Sequence, residues 1–323
     1  TVAGIIFAVF MIAFLAFACI DIKRNKKEVN KYHLKDAIIG YLMIFPAVVM
    51  MFLFVILPIL YSLGYAFTDY KFNFNNEPIN FVWFKNFEYI FKNIARKGDI
   101  YHAIINTLIF VVIVVPLQIT LALLLALFCN SKKKGATIFK VCFFAPLVIS
   151  LTVTSYLWKV ILSPSETGLL NSILGAFGVP AQDFLGDTST AMIWISIISA
   201  WQGCGFQMLI FLSALSGTRK DLYEAASLDG ANSFSRFVHV TVPSIKPTFI
   251  YILITVFIGA CRVMVQPMLL IGYQDHSVTL SYYMYEKGYT DGMVALSSAV
   301  ALLMTIIIGT VTFLQRKFLG GKK

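Results

Sequence analysis

The 323-residue sequence has little charge, since only 13% of its residues are Asp, Glu, Lys or Arg, whereas 59% are hydrophobic. A soluble domain carries about 25% charged residues because its surface must be hydrated. This composition excludes an ordinary soluble globular protein. Several apolar runs are long enough to cross a bilayer, and such runs predict transmembrane helices rather than buried strands.

The sequence also lacks the residue clusters that metal sites and most catalytic sites need. Its five cysteines show no Cys-x-x-Cys spacing, and its four histidines lie in separate loops or loop edges. No phosphate-binding GxxxxGK(S/T) loop occurs, so the sequence shows no nucleotide-binding motif of this type. The net charge of +10 does not indicate nucleic-acid binding, because the basic residues lie between apolar segments. We therefore expect no catalytic residue, metal site or cofactor in this chain.

The apolar runs predict an all-α polytopic membrane protein with about seven transmembrane helices. They lie near residues 1–20, 40–66, 103–128, 141–161, 191–215, 249–272 and 293–314. Cytoplasmic loops retain Lys and Arg, and the alternate segments 21–37, 129–140, 216–248 and the carboxyl-terminal tail hold 18 of the 26. This bias predicts a cytoplasmic carboxyl terminus and an amino terminus outside.

The amino-terminal run differs from the other six. Its positive charges follow the apolar stretch instead of preceding it, which is unlike a signal peptide. We expect residues 1–37 to form an additional transmembrane helix with a basic cytoplasmic linker. Residues 38–323 then form a six-helix membrane domain.

The cytoplasmic segment 216–248, called the elbow below, carries the most informative pattern. A short helix over residues 221–228 is followed by Gly230, which predicts a helix stop or tight turn. A second short helix is expected to be capped by Ser233 and ended by Pro243 and Pro247. On periodicity alone, an amphipathic connector on the membrane surface would fit equally well.

The residue identities favour a coupling role for the elbow. It resembles the EAA loop of ATP-binding-cassette (ABC) importer permeases in Glu224-Ala225-Ala226, Asp229-Gly230-Ala231 and Pro243. Its flanks, Leu222-Tyr223 and Lys246-Pro247, are similar to the carbohydrate branch, including the larger membrane subunit of maltose importers and glycerol-phosphate permeases. The resemblance covers roughly residues 40–317.

This resemblance implies a type I importer permease in a bacterial cell membrane, without enzyme activity of its own. Two homologous permeases would form one pathway for a carbohydrate, which we expect to be an oligosaccharide delivered by an extracellular or periplasmic solute-binding protein. A cytoplasmic ATPase dimer would bind ATP and Mg²⁺ and receive each elbow in a groove. The residues implied in ATPase coupling are Glu224, Ala225, Ala226, Asp229, Gly230 and Pro243, with Glu224 meeting a basic group.

Two polar clusters within predicted spans are candidates for the substrate pathway, because transporter sites lie near the bilayer midplane. Ser199, Gln202 and Phe206 would share one helical face and combine hydrogen-bonding groups with an aromatic ring, as sugar binding requires. Thr255, Arg262 and Gln266 would share one side of the sixth span. Helix packing is the alternative for the uncharged residues, whereas Arg262 should face a cavity or a partner carboxylate.

By resemblance to maltose-type permeases, Ser199, Gln202, Gly203 and Phe206 fall where one lining helix contacts sugar. Thr255 and Arg262 fall on another such helix, although this sequence lacks the family's Asn-rich run on the sixth span. Two alternatives remain. An ion-coupled secondary transporter would usually show carboxylates within the membrane, and an ABC importer permease could carry a non-sugar substrate such as glycerol phosphate.

Overall fold

A computed structural model describes residues 2–25, 31–72, 78–130 and 135–319 of the chain, and most of them are helical. The α-helices are α1 (Val2–Asn25), α2 (Lys31–Met51), α3 (Leu57–Tyr65), α4 (Lys85–Ala95), α5 (Asp99–Asn130), α6 (Ala136–Val148), α7 (Leu151–Ile161), α8 (Leu169–Ala176), α9 (Ala191–Ser216), α10 (Lys220–Leu228), α11 (Ser233–Arg236), α12 (Val242–Cys261), α13 (Val265–Leu270), α14 (Leu280–Tyr285) and α15 (Val294–Leu319). Helices α2, α11 and α14 are continued by π-helical turns, at Phe52–Ile56, Phe237–Thr241 and Glu286–Thr290.

Five helical stretches of the described chain are long and apolar enough to cross a membrane. They are Asp36–Tyr65, Asp99–Asn130, Ala191–Ser216, Ser233–Cys261 and Val294–Leu319. Helices α6 and α7 add a sixth if the pair is counted as one span bent by 103°. The predicted all-α fold is therefore confirmed, with five spans in the described chain, or six if α6 and α7 form one, against the seven predicted. In α1 the apolar stretch Ile6–Ala18 is shorter, so an additional amino-terminal span stays a prediction.

The elbow runs into the membrane without the interruption that its prolines predict. One helical stretch extends over Ser233–Cys261 and passes through Pro243 and Pro247, so the expectation that these prolines end a short helix is wrong. A proline ring clashes with the carbonyl four residues earlier, and local π-helical turns can accommodate this clash. The π-helical turn at Phe237–Thr241 precedes Pro243, and another at Phe52–Ile56 precedes Pro58 in the same way.

Two predicted spans are broken instead. The span predicted at 141–161 turns by 103° between α6 and α7. The span predicted at 249–272 ends at Cys261 and resumes as α13. A continuous helix would press the carbonyl of Val263 against Pro267, whereas here this carbonyl accepts a hydrogen bond from Thr279 Oγ1 at 2.6 Å. Arg262 consequently lies in a connection, and Thr255, Arg262 and Gln266 do not share one continuous helix face as predicted.

The buried core lies mainly between α5, α9 and α12. Phe110, Ile198, Met208 and Ile252 are almost fully buried there. A second cluster joins α4 and the start of α5 to α14 and α15, around Tyr283. Helix α6 approaches α9 closely, since a Cβ atom added at Gly205 would lie 2.1 Å from the carbonyl oxygen of Phe143. Glycine at this position therefore sets the distance between the two helices.

Candidate functional site

A cavity of about 630 Å³ lies between α5, α9 and α12, and residues of the two helix breaks contribute to its lining. Its volume is in the range of about 300–1,000 Å³ that is usual for small-molecule sites. The residues that give it polar character are Gln118, Ser150, Ser199, Gln202, Gln207, Thr255, Arg262 and Gln266. Most of the remaining lining is aliphatic, with Gly203 and Gly259 exposing backbone.

The position of the cavity along α9 indicates its depth in the membrane. Ser199 and Gln207 lie about 12 Å and about 24 Å from the start of this helix at a rise of 1.5 Å per residue. The hydrocarbon core of a bilayer is about 30 Å thick. The polar lining residues of α9 therefore lie near the middle of the span.

Hydrogen bonds link both helix breaks through one chain of side chains. Ser199 Oγ donates to Gln266 Oε1, and Gln266 Nε2 donates to Gln202 Oε1 at 3.3 Å. Gln202 Nε2 then donates to Thr154 Oγ1 at 3.2 Å and to the carbonyl of Ile149 at 3.5 Å. Gln202 and Gln266 are each only 6% exposed. Buried amides of this kind need partners, so the network fixes α13 and the α6–α7 bend against α9.

Gly203 allows a further amide to approach the network. A Cβ atom at Gly203 would lie 2.4 Å from Gln118 Nε2, so any larger residue would displace the Gln118 side chain. Gln118 belongs to α5 and is itself buried. Because Gly203 has no side chain, the Gln118 amide of α5 has room to form part of the cavity wall.

The structure brings together six of the seven residues predicted for the substrate pathway. Those six, which line the cavity, are Ser199, Gln202, Gly203, Thr255, Arg262 and Gln266. Phe206 does not belong to the lining and is 49% exposed, while its neighbour Gln207 does line the cavity. Sequence reasoning missed Gln118, Gln207 and Ser150. Ser199, Gly203 and Gln207 follow one another at intervals of four residues, and this spacing could have predicted that Gln207 lines the cavity.

Arg262 is the charged residue of the cavity lining. It follows directly after the last residue of α12, and its side chain is exposed. Within the described chain it forms no ion pair, because the ion pairs found there join Lys92 to Glu88, Arg219 to Asp221 and Lys287 to Asp291. None of the described residues that line the cavity is Asp or Glu. The guanidinium therefore remains available inside the cavity of this chain.

In the elbow, helix α10 ends in a Schellman motif at Gly230, as the glycine predicts. The N–H of Ala231 donates to the carbonyl of Ala226 at 2.9 Å, and the N–H of Gly230 donates to the carbonyl of Ser227 at 3.1 Å. Gly230 has φ +77°, the left-handed conformation usual for the residue after a helix cap. Asn232, rather than the expected Ser233, caps α11 by accepting from the N–H of Ser235 at 2.8 Å.

Side-chain hydrogen bonds join the two arms of the elbow, which are α10 and the helical stretch that begins with α11. Arg236 Nη1 donates to Ser227 Oγ at 3.0 Å, and the Tyr223 and Thr241 hydroxyls are 2.9 Å apart. These contacts tie α10 to the helical stretch that enters the membrane. At the start of α10, a hydrogen bond from Arg219 lowers the pKa of the Asp221 carboxyl.

The outer face of the elbow is exposed and partly apolar. Leu228 is 90% exposed and Phe234 is 76% exposed, and the Glu224 side chain is also exposed. Of the remaining predicted coupling residues, Ala225, Asp229 and Pro243 are exposed and Ala226 is half-buried. Large apolar side chains in such a setting indicate a protein or membrane contact surface.

Residues 90–322 match the family described as the binding-protein-dependent transport system inner membrane component. The chain is 33% identical over 290 residues to the probable ABC transporter permease protein YurN of Bacillus subtilis, covering 88% of this chain and 97% of YurN. It is 32% identical to the arabinooligosaccharides transport system permease protein AraP of Bacillus subtilis, covering 76% and 78%. The fold is similar to that of a chain in a crystal structure of a bacterial ABC transporter that imports the acidic polysaccharide alginate, with a TM-score of 0.78, 22% identity and coverage of 89% and 97%.

Proposed function

Because this chain belongs to the family of binding-protein-dependent transport system inner membrane components, we propose that it forms half of the translocation pathway of an ATP-driven carbohydrate importer. The chain is a membrane permease, and ATP hydrolysis belongs to a separate ATPase subunit. We expect the substrate to be an oligosaccharide received from an extracellular binding protein. The substrate named for the relative AraP, arabinooligosaccharides, supports this expectation.

The polar lining of the cavity is the observation that carries the proposal. A sugar offers many hydroxyl groups, each of which can donate and accept, and amide side chains can do the same. Four glutamines, two serines and one threonine contribute to the lining, together with aliphatic side chains. Such a surface suits the mixed polar and apolar faces of a sugar ring. The Ser199–Gln266–Gln202 network would exchange internal hydrogen bonds for bonds to substrate hydroxyls.

The elbow is proposed as the contact with the ATPase. Its exposed Leu228 and Phe234 would enter an apolar groove, and Glu224 would pair with a basic group at the groove edge. Asp229 and Gly230 shape the turn between α10 and α11, and Pro243 lies in the first turn of α12, which would carry the movement toward Thr255 and the cavity. This arrangement requires the elbow and the carboxyl terminus to be cytoplasmic.

Purification of the chain from its native membrane, followed by identification of the co-eluting proteins, tests the proposal. We expect an ATPase dimer and a second homologous permease to co-elute. ATP-dependent uptake of labelled oligosaccharides into proteoliposomes that contain this complex should then require the binding protein. A chain that elutes alone and drives uptake with an ion gradient would establish a secondary transporter instead.

A further inference from the structure

We propose that Arg262 makes the cavity selective for anionic saccharides, in which a carboxylate accompanies the sugar hydroxyls. This inference rests on the proposed function and specifies its substrate class. It starts from the juxtaposition of an exposed guanidinium with described lining residues that include no carboxylate. Neutral hydrogen-bonding groups are already plentiful in this cavity, so the arginine adds a property that the glutamines cannot supply.

The charge balance of the cavity favours an anionic ligand. The guanidinium stays protonated under all physiological conditions, and an uncompensated charge within the membrane is unfavourable. No described residue forms an ion pair with Arg262. A neutral sugar would displace water from the guanidinium without supplying a counter-charge, whereas a carboxylate on the sugar would neutralise it.

The geometry of the guanidinium also favours a carboxylate. A guanidinium and a carboxylate form two parallel hydrogen bonds in one plane, so one anionic group can be held in a defined orientation. The helix break at Arg262 places this side chain at the edge of the same cavity that Thr255 and Gln266 line. The carboxylate would bind Arg262 while the neighbouring amides and hydroxyl contact the ring hydroxyls.

Binding of a matched pair of probes tests this selectivity. The probes are labelled trigalacturonate and its methyl ester, which share rings and linkages but differ in charge. Equilibrium binding is measured on the whole transporter complex in nanodiscs, without the binding protein, so that selection by the binding protein does not contribute. We expect the wild type to bind the acid at least tenfold more tightly than the ester, with a preference that shrinks as the NaCl concentration rises.

Three variants assign the preference to Arg262. Arg262→Gln keeps an amide donor but removes the charge and should abolish the preference, because it weakens acid binding far more than ester binding. Arg262→Lys keeps the charge but loses the planar fork and should retain a reduced preference. Lys159→Gln is the matched control, because Lys159 is a cation near a span end that donates to the Leu269 carbonyl at 3.5 Å and does not line the cavity. It should bind both probes as the wild type does.

Several outcomes overturn the inference. Equal binding of acid and ester by the wild type would leave a carbohydrate site without charge selection, so the proposed function would survive. Failure of both probes to bind overturns anionic selection, and the proposed function falls as well if uptake of neutral oligosaccharides is also absent. Loss of complex assembly in Arg262→Gln would assign the guanidinium to a partner subunit rather than to the substrate.

Discussion

Replacement of Gly230 with alanine should impair coupling between ATP hydrolysis and transport, although it adds only one methyl group. No heavy atom lies within 4 Å of the position that its Cβ would take, so the chain itself has room for it. The perturbation is therefore confined to the backbone, where φ is +77°. A residue with a Cβ in the left-handed conformation costs about 1–2 kcal/mol relative to its usual conformations. Since about 1.4 kcal/mol corresponds to tenfold, the population of the intact turn falls at most about 5- to 30-fold.

The chain offers a matched control for this substitution at Gly178. Gly178 also has φ +77° and no heavy atom within 4 Å of the position that a Cβ would take, and it ends α8 in the same hydrogen-bond pattern. The N–H of Val179 donates to the Leu174 carbonyl at 3.1 Å, and that of Gly178 to the Gly175 carbonyl at 2.9 Å. Alanine at either site should therefore strain the chain to a similar extent. Only Gly230 belongs to the elbow.

The assay measures ATP hydrolysis and saccharide uptake together in proteoliposomes that contain the whole complex. Thermal unfolding in detergent should shift by a similar amount in Gly230→Ala and Gly178→Ala, whereas uptake per ATP should fall only in Gly230→Ala. Gly230→Asn, which tolerates the left-handed conformation better, should recover part of the loss. Equal uptake per ATP in Gly230→Ala and Gly178→Ala would refute the argument that this turn transmits force to the pathway.

Three other predictions concern packing, the polar network and topology. Gly205→Ala should lower the free energy of unfolding by about 1–3 kcal/mol, because the Phe143 carbonyl oxygen 2.1 Å from the new Cβ cannot rotate away. Denaturant titration measures this change, and an unchanged midpoint would contradict the close contact between α6 and α9. Gln266→Leu should lower the free energy of unfolding by about 1–3 kcal/mol, and with it the melting temperature, since Gln202 Oε1 loses its donor. An unchanged melting temperature would mean that water replaces the amide. Single-cysteine labelling in a cysteine-free background should reach positions 75, 172 and 276 from outside, and positions 133, 227 and 322 only after permeabilisation. Labelling of position 227 from outside would contradict the proposed orientation.

The positions of the uninterrupted spans, though not every end, could be predicted from composition because a bilayer requires an apolar run of nearly fixed length. The fifth span, predicted over 191–215, is observed as Ala191–Ser216, and the last, predicted over 293–314, is observed as Val294–Leu319. The turn at Gly230 could also be predicted from the sequence, since few residues other than glycine adopt positive φ at a helix end. In these cases one local property of the chain determines the structure.

The helix breaks could not be predicted in the same way. Residues 263–271 are largely apolar, so hydropathy continues smoothly across the break at Arg262. The break depends on where the Val263 carbonyl finds a donor, and that donor is Thr279, 16 residues further along the chain. Gln118 was missed for a similar reason, because its place in the cavity depends on the absence of a side chain at Gly203 in another helix. Such pairings between distant residues leave no periodic signal.

The break at Arg262 also explains how the chain tolerates a charge in the cavity lining. An arginine within a span costs about 2.5–3.5 kcal/mol on insertion scales. Here it lies exposed at the carboxyl end of α12, where the helix dipole presents a partial negative charge that stabilises an exposed cation by about 0.3–1 kcal/mol. The lining amides and water that enters the cavity can offset part of the remainder. The dipole offers no bidentate hydrogen bonds, so it stabilises the guanidinium without occupying the donors that an anionic substrate would use.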